Sequence, residues 1–261
     1  MKTFCFTIDD NIRFLKELTA QKPGSMFDHP YLAMLRRLHE RFDLKIQPNL
    51  FYRMEGFALS QMKDSYADEW DAAASWLKLS FHSELENPRP YLNSDYEEVF
   101  ADCHGVHKEI LRFAGLKSLG KTTTVHCCQT TPEGVTALFD NGVRGLLGLY
   151  GNEESPRTSY SLPESIAAEL RNGKIENLDG MTHGAIDMII NTVKLENISA
   201  NLTELFSRES LRVMIHEQYF YEDYIRYQPD FEEKLVLVFS LLREQGYQSC
   251  FFEEQVKNRL T

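Results

Sequence analysis

TTTVHCCQ at positions 122–129, followed by TPEGVTALFDNG at 131–142 and VRGLLGLYG at 143–151, decides the fold class. The first part reads as a buried strand. The second carries helix punctuation: Thr131 in the capping position, Pro132 at the first helical position, where a missing N–H is harmless, and Gly142 as the stop. The third part is a second apolar strand. Strand, helix and strand in succession make the repeating unit of a parallel α/β sheet.

The alternation extends in both directions. TFCFTI (3–8), LKIQPNLFYR (44–53), KLSFHSE (78–84), AIDMIINTVKLEN (185–197), LRVMIHEQ (211–218) and YQSCFFEE (247–254) read as extended. Between them fall helical patterns, among them IRFLKELTA after the first strand, DHPYLAMLRRLHERF with Asp28 as cap, and ADEWDAAASWL. NSDYEEVF opens a helix with Ser94 and Glu97 at capping-box spacing, SLPESIAAELRNG and ISANLTELFSRES follow, and DFEEKLVLVFSLLREQG starts with Asp230 and Glu233 at the same spacing. GNEESPRTSY and NLDGMTHG read as loops. About seven or eight strand-helix repeats predict an α/β protein built as an irregular (β/α)7-8 barrel, TIM-barrel-like, with one domain over residues 1–261.

Composition narrows the partner. The 261 residues are 43% hydrophobic, enough for a sizeable core. Lys and Arg number 28 against 39 Asp and Glu, and a net charge of -11 argues against nucleic acid or anionic lipid as a partner. A small-molecule or oligosaccharide substrate is expected instead. No apolar run approaches the roughly 20 residues of a membrane span, and no N-terminal signal pattern is present, so a cytoplasmic location is expected. Five cysteines without a CxxC pair read as reduced thiols.

In parallel barrels the chemistry gathers at the C-terminal ends of the strands. Asp9 and Asp10 close the first strand, His82 closes LKLSF, His126 lies within TTTVHCCQ and His216 closes LRVMI. A carboxylate and imidazoles from distant segments form the donor mix of a catalytic zinc site. His126 and Cys128, two apart, would share a strand face. His104 and His107 read as a solvated helix face, His29 and His39 as structural, and His183 as a loop residue that could reach a pocket rim. Tyr219, Tyr221 and Tyr224 offer rings that could stack on a sugar or simply pack.

These residues carry a resemblance. FTIDDN (6–11) resembles the T-F-D-D-G signature of the NodB-like polysaccharide deacetylases, FHSELE (81–86) their His-Ser signature, and VMIHE (213–217) their late L-x-H signature, in the same order along most of the chain. The resemblance implies an irregular (β/α) barrel, Asp9 as general base, Asp10 and His82 as metal ligands, and His216 as general acid. It departs from the pattern in three places. No second histidine follows His82, where Glu84 and Glu86 stand; the Arg-x-Pro-Tyr signature is replaced by His126; and Asn11 takes the place of a glycine. Either Glu86 or His126 would then complete a site for a divalent metal, zinc first, with Glu84, Tyr219 and Tyr221 near the substrate. The RPY triplet at 89–91 is a coincidence of sequence. The implied activity is metal-dependent hydrolysis of an N-acetyl group on a carbohydrate, for a cytoplasmic protein a nucleotide-linked or lipid-linked precursor sugar. The alternatives are a metal-independent C–N amidase and a catalytically silent carbohydrate-binding barrel.

Overall fold

In the computed structural model, which describes residues 1–86, 91–151 and 159–257, strands and helices alternate from the N-terminus onward. The first half comprises β1 (Thr3–Asn11), α1 (Arg13–Gln21), α2 (Pro30–Phe42), β2 (Ile46–Phe51), the hairpin β3 (Arg53–Met54) and β4 (Phe57–Ala58), α3 (Ala67–Ala73), β5 (Ser80–Ser83) and α4 (Tyr96–Phe113). Then come β6 (Thr122–Thr123), α5 (Pro132–Asp140), β7 (Gly145–Gly148), α6 (Glu164–Arg171), β8 (Ile175–Leu178), β9 (Met181–Ala185) and β10 (Met188–Ile189). The chain continues through α7 (Ile198–Leu205), β11 (Ser210–His216), α8 (Phe231–Glu244), β12 (Gln248–Ser249) and α9 (Phe252–Lys257).

Parallel ladders run in the order β10-β11-β1-β2-β5, with β12 beside the start of β1. A second run, β6-β7-β9, is also parallel and carries β8 antiparallel at its edge. Two seams join the runs. Residues 181–189 pair with β7 through β9 and with β11 through β10, and an isolated bridge joins Leu79 to Leu119. The fold is an irregular (β/α) barrel.

Alternation along β1 explains its two coverings. Phe4 and Phe6 face outward onto Phe239 of α8, at centroid distances of 5.9 and 4.9 Å. Cys5, Thr7 and Asp9 face the opposite way. Phe252 packs with Cys5, Leu147, Ile186 and Met214 on that interior side. Gly145 and Gly184 make room for it, since a Cβ at either would lie 3.0 or 2.8 Å from the Phe252 ring.

Several expectations change. Only Thr122–Thr123 of the 122–129 stretch is strand; the chain then turns through His126–Cys128, with Cys127 and Cys128 at φ 59° and 57°. His126 therefore sits on a turn, and the strand face it was expected to share with Cys128 does not exist. The stretch 177–184 is not a loop: Asp179 and Gly180, both at positive φ, turn a β8-β9 hairpin and bury His183 in β9. YQSCFFEE yields only two strand residues before α9. Asp95, not Ser94, caps α4 by accepting from Glu98 N, and Asp28 instead accepts from Ser25 N while α2 begins at Pro30. Arg89 and Pro90 of the RPY triplet and residues 152–158 of the 151–160 stretch lie outside the described residues.

Candidate metal centre and catalytic cleft

Two adjacent residues of a regular strand point to opposite faces, so Asp9 and Asp10 could not serve one site from an unbroken β1. A bulge resolves this. The β1-β2 register shifts between Ile8 and Asn11, and Asp10 takes a left-handed φ of 60°. Asn11 staples the bulge from within: its Nδ2 donates to the carbonyls of Ile8, Asp9 and Asn49, and its Oδ1 accepts from the Tyr31 hydroxyl. The asparagine in place of the family glycine thus has a use.

Asp10 Oδ1 lies 3.0 Å from His82 Nε2 and 3.3 Å from His126 Nδ1, and the two imidazole nitrogens are 3.2 Å apart. The facing ligand atoms of Asp10, His82 and His126 all fall within 4.8 Å of one another. His82 Nδ1 sits at hydrogen-bond distance from the Thr124 carbonyl, which anchors the ring from behind and turns Nε2 toward Asp10. Phe51 walls the group, its ring 5.1 and 5.2 Å from the two imidazoles. One carboxylate oxygen and two imidazole nitrogens suit a divalent cation such as zinc or cobalt. Burial pushes the Asp10 carboxyl up, but hydrogen bonds from His126 and His82 outweigh it and hold the group well below the ordinary range. For His126 burial opposes the charge, yet hydrogen bonds to Asp10 and Cys127 raise it to about 10.

Asp9 is 2% exposed, and burial raises its carboxyl, an effect partly offset by His82, His216 and a 2.7 Å hydrogen bond from Asn49 Nδ2. Asn49 is itself held by Gln47, whose amide spans to Thr122. His216 sits opposite Asp9 in the β1-β11 register, and its Nδ1 donates to Asn191 Oδ1 at 2.9 Å. Its Nε2 is the ring nitrogen turned away from Asn191. A cleft of about 730 Å³ opens beside these groups, lined among others by Asp10, Arg13, Arg53, Glu86, Gln218 and Tyr224.

The other expected residues are placed less centrally. Glu86 stands exposed on the cleft wall, outside the Asp10, His82 and His126 group, and Glu84 pairs with Arg53 at 2.8 Å. Tyr219 is half-buried with its ring 6.1 Å from His216. Tyr221 cannot stack on a sugar: it is buried, its hydroxyl donates to Glu217, and Arg13 covers its ring at 4.0 Å. Tyr224 reaches the cleft instead. His183 is 1% exposed and packs on Tyr160 rather than reaching a rim.

Sequence reading missed the residues that hold the site. Gln47 and Asn49 form a polar pair two apart in IQPNLF, a period-two signal within an otherwise apolar strand. Glu217 accepts the backbone N–H groups of Ile12, Arg13 and Phe14, fixing the start of α1 directly after the bulge. Asn191 and Thr124 gave no signal, because a side chain or carbonyl recruited from a distant loop has no local pattern.

No family model matches the chain, and no curated protein matches it. Solved structures do. A putative polysaccharide deacetylase from Mycobacterium smegmatis superimposes over 98% of this chain and 90% of its own, with a TM-score of 0.60 and 11% identity. The chain shares its fold with that protein. A family 4 acetyl xylan esterase from Clostridium thermocellum, in complex with a cobalt ion, superimposes over 97% of this chain and 89% of its own (TM-score 0.54, 14% identity). A 4-alpha-glucanotransferase from Thermococcus litoralis matches over 98% of this chain, which spans 40% of that protein (TM-score 0.60, 14% identity). In this chain the shared fold places Asp9 beside His216 in register and gathers Asp10, His82 and His126.

Proposed function

We propose that the protein is a metal-dependent deacetylase that hydrolyses an N-acetyl group on a carbohydrate. The observation that carries this reading is the convergence of Asp10, His82 and His126 beside a buried carboxylate, Asp9, whose register partner is His216. A divalent cation, zinc first, held by the three donors would polarise the acetyl carbonyl and acidify water. Asp9 takes the proton from the attacking water, its oxygens kept in place by Asn49 and its basicity raised by burial. His216, oriented by Asn191, delivers a proton from Nε2 to the departing amine. The cleft, at about 730 Å³, falls in the size range of small-ligand sites, and Tyr224, with Tyr219 packed on its ring at 5.2 Å, supplies aromatic surface at its edge.

The test is acetate release from an N-acetylated chitooligosaccharide by zinc-loaded or cobalt-loaded protein. Asp9→Asn, nearly isosteric, is expected to lower kcat by ~10²–10⁴-fold while metal binding persists. Turnover that survives exhaustive chelation would replace this reading with a metal-independent amidase. Sugar binding without turnover by any metal form would replace it with a silent barrel.

A further inference from the structure

Among the groups around the site, Gln218 contacts the carboxylate of the proposed metal centre without being one of its donors. Gln218 Nε2 donates to Asp10 Oδ2 at 2.6 Å, on the side of the carboxylate opposite the histidines. The amide orientation follows from chemistry: with its oxygen turned to Asp10, two acceptors would face each other at hydrogen-bond distance. In this orientation Gln218 Oε1 is buried without a hydrogen-bond partner, an unfavourable arrangement for an amide oxygen. The Gln218 side chain thus keeps an N–H on the carboxylate, beside a second polar contact with Tyr224 on the cleft wall.

The surroundings make the contact rigid. Gln218 lies in the turn Glu217–Phe220 that follows β11, and its neighbour Glu217 grips the N–H groups of Ile12, Arg13 and Phe14. The segment carrying Asp10 is therefore held from the same turn by two consecutive side chains. Asp10 itself has left the strand geometry, at φ 60°, so the β1 ladder does not orient its side chain.

We infer that Gln218 is a positioning residue for Asp10: it fixes Oδ2 so that Oδ1 alone is presented, with His82 and His126, to a divalent cation. This rests on the reading of those three residues as a metal centre. A leucine at 218 has a similar volume, lacks the N–H and removes the unsatisfied oxygen. Its loss leaves the carboxylate free to rotate, at a cost to the cation but not to the fold.

The experiment is a cobalt(II) titration of the metal-free protein, followed by visible absorption, together with the Tm of each metal-free form. Gln218→Leu is expected to raise the cobalt Kd by ~10–100-fold, the usual effect of removing a hydrogen bond to a metal ligand, with the metal-free Tm maintained. Gln218→Met, also without a donor, repeats the test and decides it if the leucine variant does not fold. A cobalt Kd within twofold of wild type in a folded variant overturns the role of Gln218 and leaves the metal centre standing. A wild-type protein that binds no cobalt overturns both.

Discussion

At the scale of single residues, Asp10 reaches the histidines through a left-handed backbone. L-residues adopt this conformation at a cost on the order of 1 kcal/mol, which the bulge recovers through Asn11. Asn11→Ala removes the three amide contacts to Ile8, Asp9 and Asn49 and leaves the Tyr31 hydroxyl unpartnered. It is expected to lower unfolding stability by about 1–3 kcal/mol in urea denaturation and to weaken metal binding with it. Unchanged stability would mean the bulge holds itself. The pair of aspartates, His82 and His216 were legible because each ends an apolar run. The means by which adjacent aspartates reach one site was not, since a bulge is a register relation with β2 and leaves no mark in β1 alone. His126 was legible as a candidate but not in its setting, because the turn that presents it depends on positive φ at two cysteines.

Elements place these residues and depend on close contacts of their own. Strands β7 and β9 admit the Phe252 ring only because Gly145 and Gly184 lack side chains. Gly184→Ala puts a methyl 2.8 Å from that ring and is expected to destabilise the protein by about 1–3 kcal/mol. Calorimetry should then show a Tm lower by ~2–4 °C per kcal/mol, while an unshifted Tm would mean Phe252 moves freely. Most strand-helix alternation was readable from apolar periodicity and from caps such as Thr131, which does accept from Gly134 N. Strand lengths were less readable. Polar interior positions such as Thr124 and His82 serve the site, so apolar runs and hydrogen-bonded runs do not coincide. The Asp179-Gly180 hairpin was marked in the sequence by its turn dipeptide, but the polar residues around it favoured a loop reading.

For the molecule as a whole, buried imidazoles set the acid limit of stability. Of the pair expected on a solvated helix face only His104 is exposed, while α4 turns His107 inward; burial lowers both His107 and His183 to about 4, so each stays neutral in the fold where an unfolded chain takes up a proton near 6.5. Their effect is absent above that value. As pH falls from 6.5 through 4 the unfolded state gains protons first, and each residue withdraws on the order of 3 kcal/mol. Glu217, raised to about 7 by burial, works the other way and adds stability as pH falls from 7 through 4.5. Relative to wild type, His107→Leu should gain stability progressively below pH 6.5 in thermal melts, and a constant difference across that range would contradict this. The whole chain also explains why the third donor of the proposed centre could not be chosen from sequence: Glu86 is four residues from His82, whereas His126 approaches it only through the barrel. Metal affinity of wild type, His126→Ala and Glu86→Ala, measured by calorimetric zinc titration, tests the central claim most directly. One zinc per chain, affinity reduced at least ~100-fold by His126→Ala and unchanged by Glu86→Ala, is the predicted result. Absence of zinc binding by the wild type, or a loss confined to Glu86→Ala, would contradict it.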